Sequence, residues 1–301
     1  MFYEYAVDPA ILSNITNVQA FFESFKNRPY RLISDAPKKW IQHAFLEINL
    51  LPHDQCPPVM RKTLKENLKK LSQNSLCSNR SVDNWNRVKP WLDFAIIEHE
   101  KHPFSAILGT ESASKSVPFY SFSKLFVEAP PSWEDSGQQH IKREATIIVD
   151  KLLPLLKVSK QLLLVDPHFS LILPNWDRYK PLLKELILRA NEFNFGKGIF
   201  KIEIHTSDIR SGLQQQLEAK VKPWLPEGMI VSCSQWPEKL MHDRFFLTDV
   251  GGVFFGHGID EYADERLEDV LVSVLNHQTY RNERIKLNGL PVEYSTIENI
   301  K

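Results

Sequence analysis

The sequence predicts an α/β protein of two domains: a mostly helical N-terminal domain, then a domain with a mixed sheet flanked by helices. Three observations predict this. Apolar residues recur at helical spacing up to about residue 109, and short apolar runs alternate with longer helical periods after about residue 138. A stretch rich in Ser and Pro, from Thr110 to Gly137, separates the two patterns. We therefore expect domains at 1–137 and 138–301.

The composition is that of a globular protein without an overall charge. Hydrophobic residues make up 43% of the 301, and 37 Lys and Arg balance 37 Asp and Glu. Any polyanion site must then be a local patch. The three cysteines are too few and too widely spaced for a disulfide framework or a zinc pair, and no apolar run approaches the roughly 20 residues of a membrane span. We expect a cytoplasmic protein without a transmembrane segment, cofactor or bound metal.

The N-terminal domain should contain several helices, because Trp40, Ala44 and Ile48 recur at helical spacing, as do Trp91 and Ala95. A basic run follows the first of these helices and continues to Lys89. It offers five candidate nucleic-acid contacts, which are Arg61, Lys62, Lys65, Lys69 and Lys70. A solvated helix face is the alternative interpretation of this run.

The C-terminal domain should alternate strands with helices. The predicted strands are Gln161–Val165, Ile199–His205, Met229–Ser232, Arg244–Thr248, Val253–Gly256 and Val270–Leu275. The predicted helices are Ile141–Lys157, Arg178–Asn194 and Ser211–Trp224. Gly251 and Gly252 lie between two of the strands and predict a tight hairpin turn, because glycine adopts positive φ without a steric penalty.

Polar residues occupy fixed positions in this otherwise apolar hairpin, between Met241 and Asp260. If Arg244–Thr248 is a strand, alternate side chains share a face, and the face of Arg244 extends back to His242. An imidazole at that position could act as a nucleophile or acid/base beside a guanidinium that grips phosphate oxygens. A purely structural pairing of His242 with Asp249 is the alternative.

The spacing of His242, Arg244, Asp249 and Gly256 resembles the motif of the phospholipase D superfamily, which is His, any residue, Lys, four residues, Asp, six residues and Gly. The resemblance implies that His242 attacks phosphorus and that Asp249 supports it. Arg244 stands where the family has lysine, and it would hold the phosphate as a rigid fork rather than a point charge.

A closer resemblance is to the phospholipase D-like domain at the C-terminus of certain MIT-domain proteins. Its hairpin reads His-Asp-Arg, then a glycine turn, then Gly-x-Gly-x-Asp, and an Asp-Pro element follows its first strand. This chain matches that order from about Ile141 onward, and the match adds the candidate substrate-binding residues Asp166, Asp243, Gly256, His257 and Asp260. Members of that group bind membranes, which makes an anionic lipid an alternative ligand.

Further candidates come from strand ends. Asp166 and His168 follow the first predicted strand, where open α/β sheets build sites, although Asp-Pro also opens turns. His205 alternates with Glu203 on the next strand, with Asp208 beyond, and an exposed strand edge explains these residues equally well. The acidic run Asp260, Glu261, Asp264, Glu265, Glu268 and Asp269 could hold a divalent metal, but a solvated face is the favoured interpretation.

These observations favour a phosphodiesterase, a nuclease in particular, acting through a histidine nucleophile. Because the chain has one copy of a motif that normally acts in pairs, we expect a homodimer or a subunit of a larger complex. Family analogy suggests a role in antiphage defence. The alternatives are an inactive module that binds phosphate on nucleic acid or lipid, and a scaffold subunit.

Overall fold

A computed structural model describes residues 1–26, 28–77, 80, 85, 89–110, 117–192, 201–207, 212–261, 269–289, 291 and 293–298. The chain divides into two compact units, Phe2–Ser136 and Gly137–Lys301 with Met1, so the division lies one residue from the predicted boundary. Within the described ranges, no helix has both the length and the apolar character needed to cross a bilayer.

The N-terminal unit is built on a parallel sheet of five strands in the order β3-β2-β1-β4-β5. The strands are β1 Tyr3–Val7, β2 Arg31–Ser34, β3 Leu76–Cys77, β4 Ala106–Gly109 and β5 Phe119–Ser121. The helices are α1 Ile15–Lys26, α2 Trp40–Leu50, α3 Pro58–Ser75 and α4 Trp91–Lys101. The two helices expected at Trp40 and Trp91 are confirmed, but a mostly helical domain was wrong because it omitted this sheet.

The sheet escaped prediction because its strands are short and buried on both faces, so they lack the alternation of an exposed strand. In β1, Tyr5 and Val7 pack with α1–α3 on one face, whereas Ala6 packs with α4 on the other. Trp40 begins α2 and donates from its indole nitrogen to the Val7 carbonyl at 2.6 Å. The helices therefore enclose the sheet from both sides.

The C-terminal unit is built on a mixed sheet of eight strands in the order β13-β9-β8-β7-β10-β11-β12-β6. The strands are β6 Gln138–Lys142, β7 Gln161–Val165, β8 Lys201–Thr206, β9 Ile230–Gln235, β10 Arg244–Thr248, β11 Gly252–Phe255, β12 Asp269–Val274 and β13 Glu293–Glu298. The helices are α5 Ala145–Lys157, α6 Asn175–Glu192, α7 Leu213–Lys220 and α8 His277–Lys286. Strands β7, β8 and β9 run parallel, and the remaining pairs are antiparallel.

All six predicted strands and three predicted helices of this unit are present, and β7 and β10 have the predicted bounds. The prediction missed β13 and α8. It also assigned the end of β6 to a helix, whereas α5 begins only at Ala145. The chain is therefore an α/β protein in which helices flank a mixed sheet.

The hairpin between β10 and β11 forms at the predicted glycines, with Leu247 paired to Gly252. The expected reason was wrong, because neither Gly251 nor Gly252 has a positive φ. Gly252 is required for space instead. A β-carbon there would lie 2.6 Å from Cδ2 of Leu247 and 3.0 Å from Cδ1 of Leu275.

Candidate functional site

The pairing of β7 with β10 brings Asp166 and Arg244 to one face of the sheet. Val165 pairs with Phe245, and both side chains lie in an apolar cluster on the opposite face. Asp166 follows Val165, and Arg244 precedes Phe245. Their side chains therefore point away from that cluster, toward α6. Arg244 Nε lies 3.6 Å from Asp166 Oδ1.

Asp166 is completely buried, and each of its carboxylate oxygens accepts a hydrogen bond. Its Oδ1 accepts from the backbone N–H of His168 at 2.8 Å, and its Oδ2 accepts from the Tyr179 hydroxyl at 2.9 Å. Burial raises the pKa of this carboxyl, while the His168 N–H and the charge of Arg244 oppose that rise. Burial and the nearby carboxylate also raise the pKa of Tyr179, which keeps its hydroxyl protonated as a donor.

Asp260 forms a second buried anchor, ion-paired with Arg143 through one oxygen and with Arg178 through the other. Its side chain is 2% exposed and that of Arg143 is 5% exposed, whereas that of Arg178 is 41% exposed. The nearby Gly258 allows this packing. A β-carbon there would collide with the Asp260 carboxylate and lie 2.6 Å from Arg143 Nη2.

The three arginines line one cavity of about 480 Å³, which we call the arginine cavity. Its other lining residues are His168, Asn175, Tyr179, His257, Gly258 and Asp260. Among the described residues, three guanidinium groups line the cavity, with the Asp260 carboxylate beside two of them and the Asp166 carboxylate beside the third. The raised pKa of Asp166 favours its neutral form, which leaves less negative charge beside Arg244.

The guanidinium N–H groups of Arg244 are available as hydrogen-bond donors in the cavity. Within the described part of the chain, its only polar contact is the long ion pair with Asp166, and it makes no hydrogen bond. Its side chain is 19% exposed, so bulk water satisfies little of it. A guanidinium in this position is ready to accept an anionic ligand.

His242 does not join Arg244 in the arginine cavity. It lines a second cavity of about 370 Å³, which we call the His242 cavity, with Pro167, His168, Ser207, Glu238, Lys239 and Met241. The ring is exposed, and its Nε2 lies 3.1 Å from the Lys239 carbonyl oxygen. The expected shared face was wrong because His242 precedes the strand, where alternation does not apply. His168 lines both cavities and lies between them.

Asp249 lies at the opposite end of β10 from Arg244. Its carboxylate accepts from the backbone N–H groups of Lys160 at 2.8 Å and Gln161 at 3.3 Å, which ties the hairpin to the start of β7. The structure therefore does not bring Asp249 to His242, either as a catalytic support or as a structural partner.

His205 lies on the apolar face of the sheet, away from the arginine cavity. Its Nδ1 accepts from the Trp236 indole N–H at 3.0 Å, and burial lowers its pKa to about 4. The ring is therefore neutral at neutral pH and occupies a structural position rather than a substrate-binding one. An exposed strand edge is excluded as well, since His205 is 3% exposed.

Of the remaining candidate residues of the hairpin, one lines the arginine cavity and two line neither cavity. His257 is exposed and lines the arginine cavity. The Gly256 N–H donates to the Leu271 carbonyl at 2.9 Å and supports the sheet, and Asp243 is exposed but does not line either cavity. Asp264, Glu265, Glu268 and Asp208 lie outside the described residues. Across the described ranges, no group of three or more His, Cys, Asp or Glu side chains could hold a metal ion.

The basic run of the N-terminal unit is only partly a surface. Arg61 donates to the carbonyls of Ile48 at 3.2 Å and Leu51 at 2.7 Å, so it fastens the loop between α2 and α3. Lys65 bonds the Asn49 side chain at 2.6 Å. The candidates whose side chains are exposed are Lys62, Lys69 and Lys70.

Arg80 lies within the basic run and is buried. Its Nη2 is 2.6 Å from Glu4 Oε2, and its Nη1 is 3.2 Å from Glu98 Oε1. Arg87 lies outside the described residues.

Sequence reasoning missed Arg143, Arg178 and Tyr179. Arg143 precedes α5, and the other two lie on α6, 35 residues or more further along the chain. No local spacing links these residues to the hairpin. A partial signal was present in α6, where Arg178 and Tyr179 are near its start at the carboxyl end of β7, the usual location of sites in α/β sheets.

Fold and site together define an α/β protein with an arginine-lined cavity beside a mixed sheet. No family model matches the chain, and no curated protein is significantly similar to it.

Two solved structures show weak similarity. TrmBL2, an archaeal chromatin protein with a novel mode of DNA binding, is 15% identical over 54% of this chain and 54% of its own, with a TM-score of 0.29. Polyphosphate kinase from Porphyromonas gingivalis is 14% identical over 78% of this chain and 35% of its own, with a TM-score of 0.30. The chain spans about half the length of the first and about a third of the second. Neither likeness carries an argument about function.

Proposed function

We propose that the C-terminal unit binds an anionic phosphate ester in the arginine cavity. The observation that carries this proposal is the guanidinium of Arg244, which faces the cavity with its hydrogen-bonding capacity largely unused among the described residues. Guanidinium groups match phosphate oxygens in a bidentate geometry, and such charge-assisted bonds are among the strongest that proteins make.

The surrounding carboxylates support binding by orienting the arginines. Asp260 holds Arg143 and Arg178, and Asp166 lies on the Nε side of Arg244. An anion in the cavity adds charge-assisted partners for guanidinium groups that are already held in place. A volume of about 480 Å³ lies within the usual range for sites that bind small molecules.

Nucleic acid is the proposed source of the phosphate. On the N-terminal unit taken by itself, Lys62 and Lys69 are exposed on α3 and offer cations to a phosphate backbone. Binding through these lysines should weaken as salt concentration rises, because neutralised phosphates release counterions. An anionic lipid headgroup is the competing source.

Calorimetric titration of the intact protein with inorganic phosphate and methyl phosphate tests the proposal. Arg244→Gln should weaken binding of both by about tenfold or more, as expected when charge-assisted hydrogen bonds are lost. Arg189→Gln is the matched control, because Arg189 lies on α6 about three turns beyond Arg178 and pairs with Glu185. Equal affinity of the Arg244 variant and the wild type would overturn the proposal.

Hydrolysis of a phosphodiester is a second candidate function. The observation that favours it is the pair of exposed imidazoles, His168 and His257, that line the arginine cavity. In a histidine route on a phosphodiester, a ring nitrogen attacks phosphorus and one alcohol leaves with a proton. Water then hydrolyses the esterified phosphohistidine, which releases a phosphate monoester and restores the imidazole. The resemblance to phospholipase D assigns the attack to His242, in the adjoining cavity.

Turnover of single- and double-stranded DNA and RNA by the purified protein tests this candidate. His242→Ala should abolish turnover if His242 is the nucleophile, and His168→Ala or His257→Ala should do so if the nucleophile lies in the arginine cavity. Activity should persist in EDTA and should belong to a homodimer, since the chain carries one motif copy. Absence of turnover by the wild type on every substrate would leave the binding function alone.

A further inference from the structure

The His242 cavity adjoins the arginine cavity at His168, which lines both. It has a volume of about 370 Å³. A ligand that occupied both cavities would pass beside His168. The lining of the His242 cavity indicates what kind of group would occupy it.

Two features of the lining suit a flat aromatic ring. Pro167 and Met241 are buried and supply apolar surface, and the thioether of methionine makes favourable contacts with aromatic rings. The imidazoles of His168 and His242 are exposed and offer π faces, on which nucleobases stack in many proteins. A base could thus be held on its faces by these side chains.

The polar side chains suit the edges of such a ring. Among the described residues, the exposed carboxylate of Glu238 takes part in no hydrogen bond or ion pair, so it can accept from the N–H groups of a base. The Ser207 hydroxyl donates to the Pro167 carbonyl at 2.7 Å and keeps its lone pairs for a donor. Lys239 supplies a cation for a base carbonyl or ring nitrogen.

Building on the proposed phosphate binding, we propose that the site takes a nucleoside phosphate, with the phosphate in the arginine cavity and the base in the His242 cavity. A lipid headgroup fits less well. Alkylammonium groups are recognised by cages of Trp, Tyr and Phe, and none of these lines the His242 cavity in the described part of the chain.

Competition calorimetry on the intact protein tests this assignment with four kinds of probe, which are inorganic phosphate, ribose 5-phosphate, the four nucleoside 5′-monophosphates and phosphoethanolamine. At least one nucleotide should bind about tenfold more tightly than ribose 5-phosphate, since base stacking and edge hydrogen bonds add to the phosphate contacts. Glu238→Ala should lower this ratio severalfold, because one edge hydrogen bond is lost while stacking remains, and ribose 5-phosphate affinity should stay constant. Glu218→Ala, an exposed carboxylate on α7, is the control and should leave the ratio unchanged.

The other outcomes separate failure of the base assignment from failure of the proposed phosphate binding. If phosphate binds but no nucleotide binds more tightly than ribose 5-phosphate, the base assignment fails and the proposed phosphate binding stands. If none of the probes binds, both fail. Tighter binding of phosphoethanolamine than of any nucleotide would assign the second cavity to a lipid headgroup and overturn the inference. A nucleotide preference that is undiminished in the Glu238 variant would place the base elsewhere, which also overturns it.

Discussion

At the scale of residues, the site depends on carboxylates that are buried and partnered. Asp260 pairs with two arginines, and Asp166 accepts two hydrogen bonds in addition to its ion pair with Arg244. A buried charge without a partner costs several kcal/mol, so these anchors are expected to hold their arginines in place before a ligand arrives. An anion then meets guanidinium groups that need little reorganisation.

His205 provides a prediction about pH. Its pKa is lowered to about 4 in the folded chain, below the ordinary value of 6.5, so the unfolded chain binds the proton more readily. The stabilisation by the neutral ring is complete above pH 6.5 and is lost as pH falls toward 4, by up to about 3 kcal/mol. In urea unfolding at several pH values, His205→Gln should show a smaller decline over this window than the wild type.

The matched control for that experiment is His257→Gln, which removes an exposed imidazole from the same unit. It should retain the full decline of the wild type. If the wild type and the His205 variant lose stability in parallel between pH 6.5 and 4, the buried ring is not the source of the pH dependence.

Sequence patterns identified the residues of the site that lie close together in the chain. Arg244, His257 and Asp260 were found from the spacing of one hairpin, and Asp166 and His168 from their place after a strand. Arg143 and Arg178 could not be found in this way, because they reach Asp260 through tertiary packing of elements far apart in the sequence. His242 was assigned to the wrong cavity because the alternation of side chains along β10 was extended to residues that precede the strand.

At the scale of elements, the segment after β11 shapes the arginine cavity. Gly258 lies between two buried groups, the Asp260 carboxylate and the Arg143 guanidinium, with no room for a β-carbon. Such close packing is needed if the ion pair is to keep its geometry. Glycine is therefore required at position 258 for space. Backbone conformation does not require it, because the φ of Gly258 is not positive.

Gly258→Ala should displace the ends of the Asp260 and Arg143 side chains, which can shift more easily than backbone. We expect phosphate affinity to fall by about tenfold, the equivalent of one charge-assisted hydrogen bond, measured by calorimetry. Gly256→Ala is the control, since the nearest atom to its added β-carbon is the Leu271 carbonyl oxygen at 3.5 Å. Unchanged affinity in the Gly258 variant would show that the Asp260 anchor does not organise the cavity.

Elements with a strong local signal were predictable and the others were not. The bounds of β7 and β10 follow from short apolar runs, Leu162–Val165 and Phe245–Leu247, each close to turn signals. Strand β6 was missed because it carries polar residues, Gln138, Gln139 and His140, whose strand conformation depends on pairing with β12. Tertiary pairing of this kind overrides local propensity.

At the scale of the whole molecule, the chain carries two sheets with separate hydrophobic cores. The core of the N-terminal unit includes Phe21, Trp40 and Leu108, and an apolar cluster of the C-terminal unit includes Trp236 and Phe245. A unit with its own core and its own hydrogen-bonded sheet has what it needs to fold alone.

We expect fragments 1–136 and 137–301 each to unfold cooperatively when expressed separately. Circular dichroism during heating should give one sigmoidal transition for each fragment, because each retains its sheet and core. A fragment cut within the N-terminal sheet, residues 1–104, is the control and should not fold, since it lacks β4, which pairs with β1. A C-terminal fragment without a cooperative transition would contradict the division into two units.

The most direct test of the central claim is to locate a phosphate mimic in crystals of the intact protein. Tungstate diffused into crystals should give an anomalous peak in the arginine cavity, within hydrogen-bonding distance of Arg244, and this peak should be absent from crystals of Arg244→Gln. A peak elsewhere with an empty arginine cavity, or an equal peak in the variant, would contradict the account.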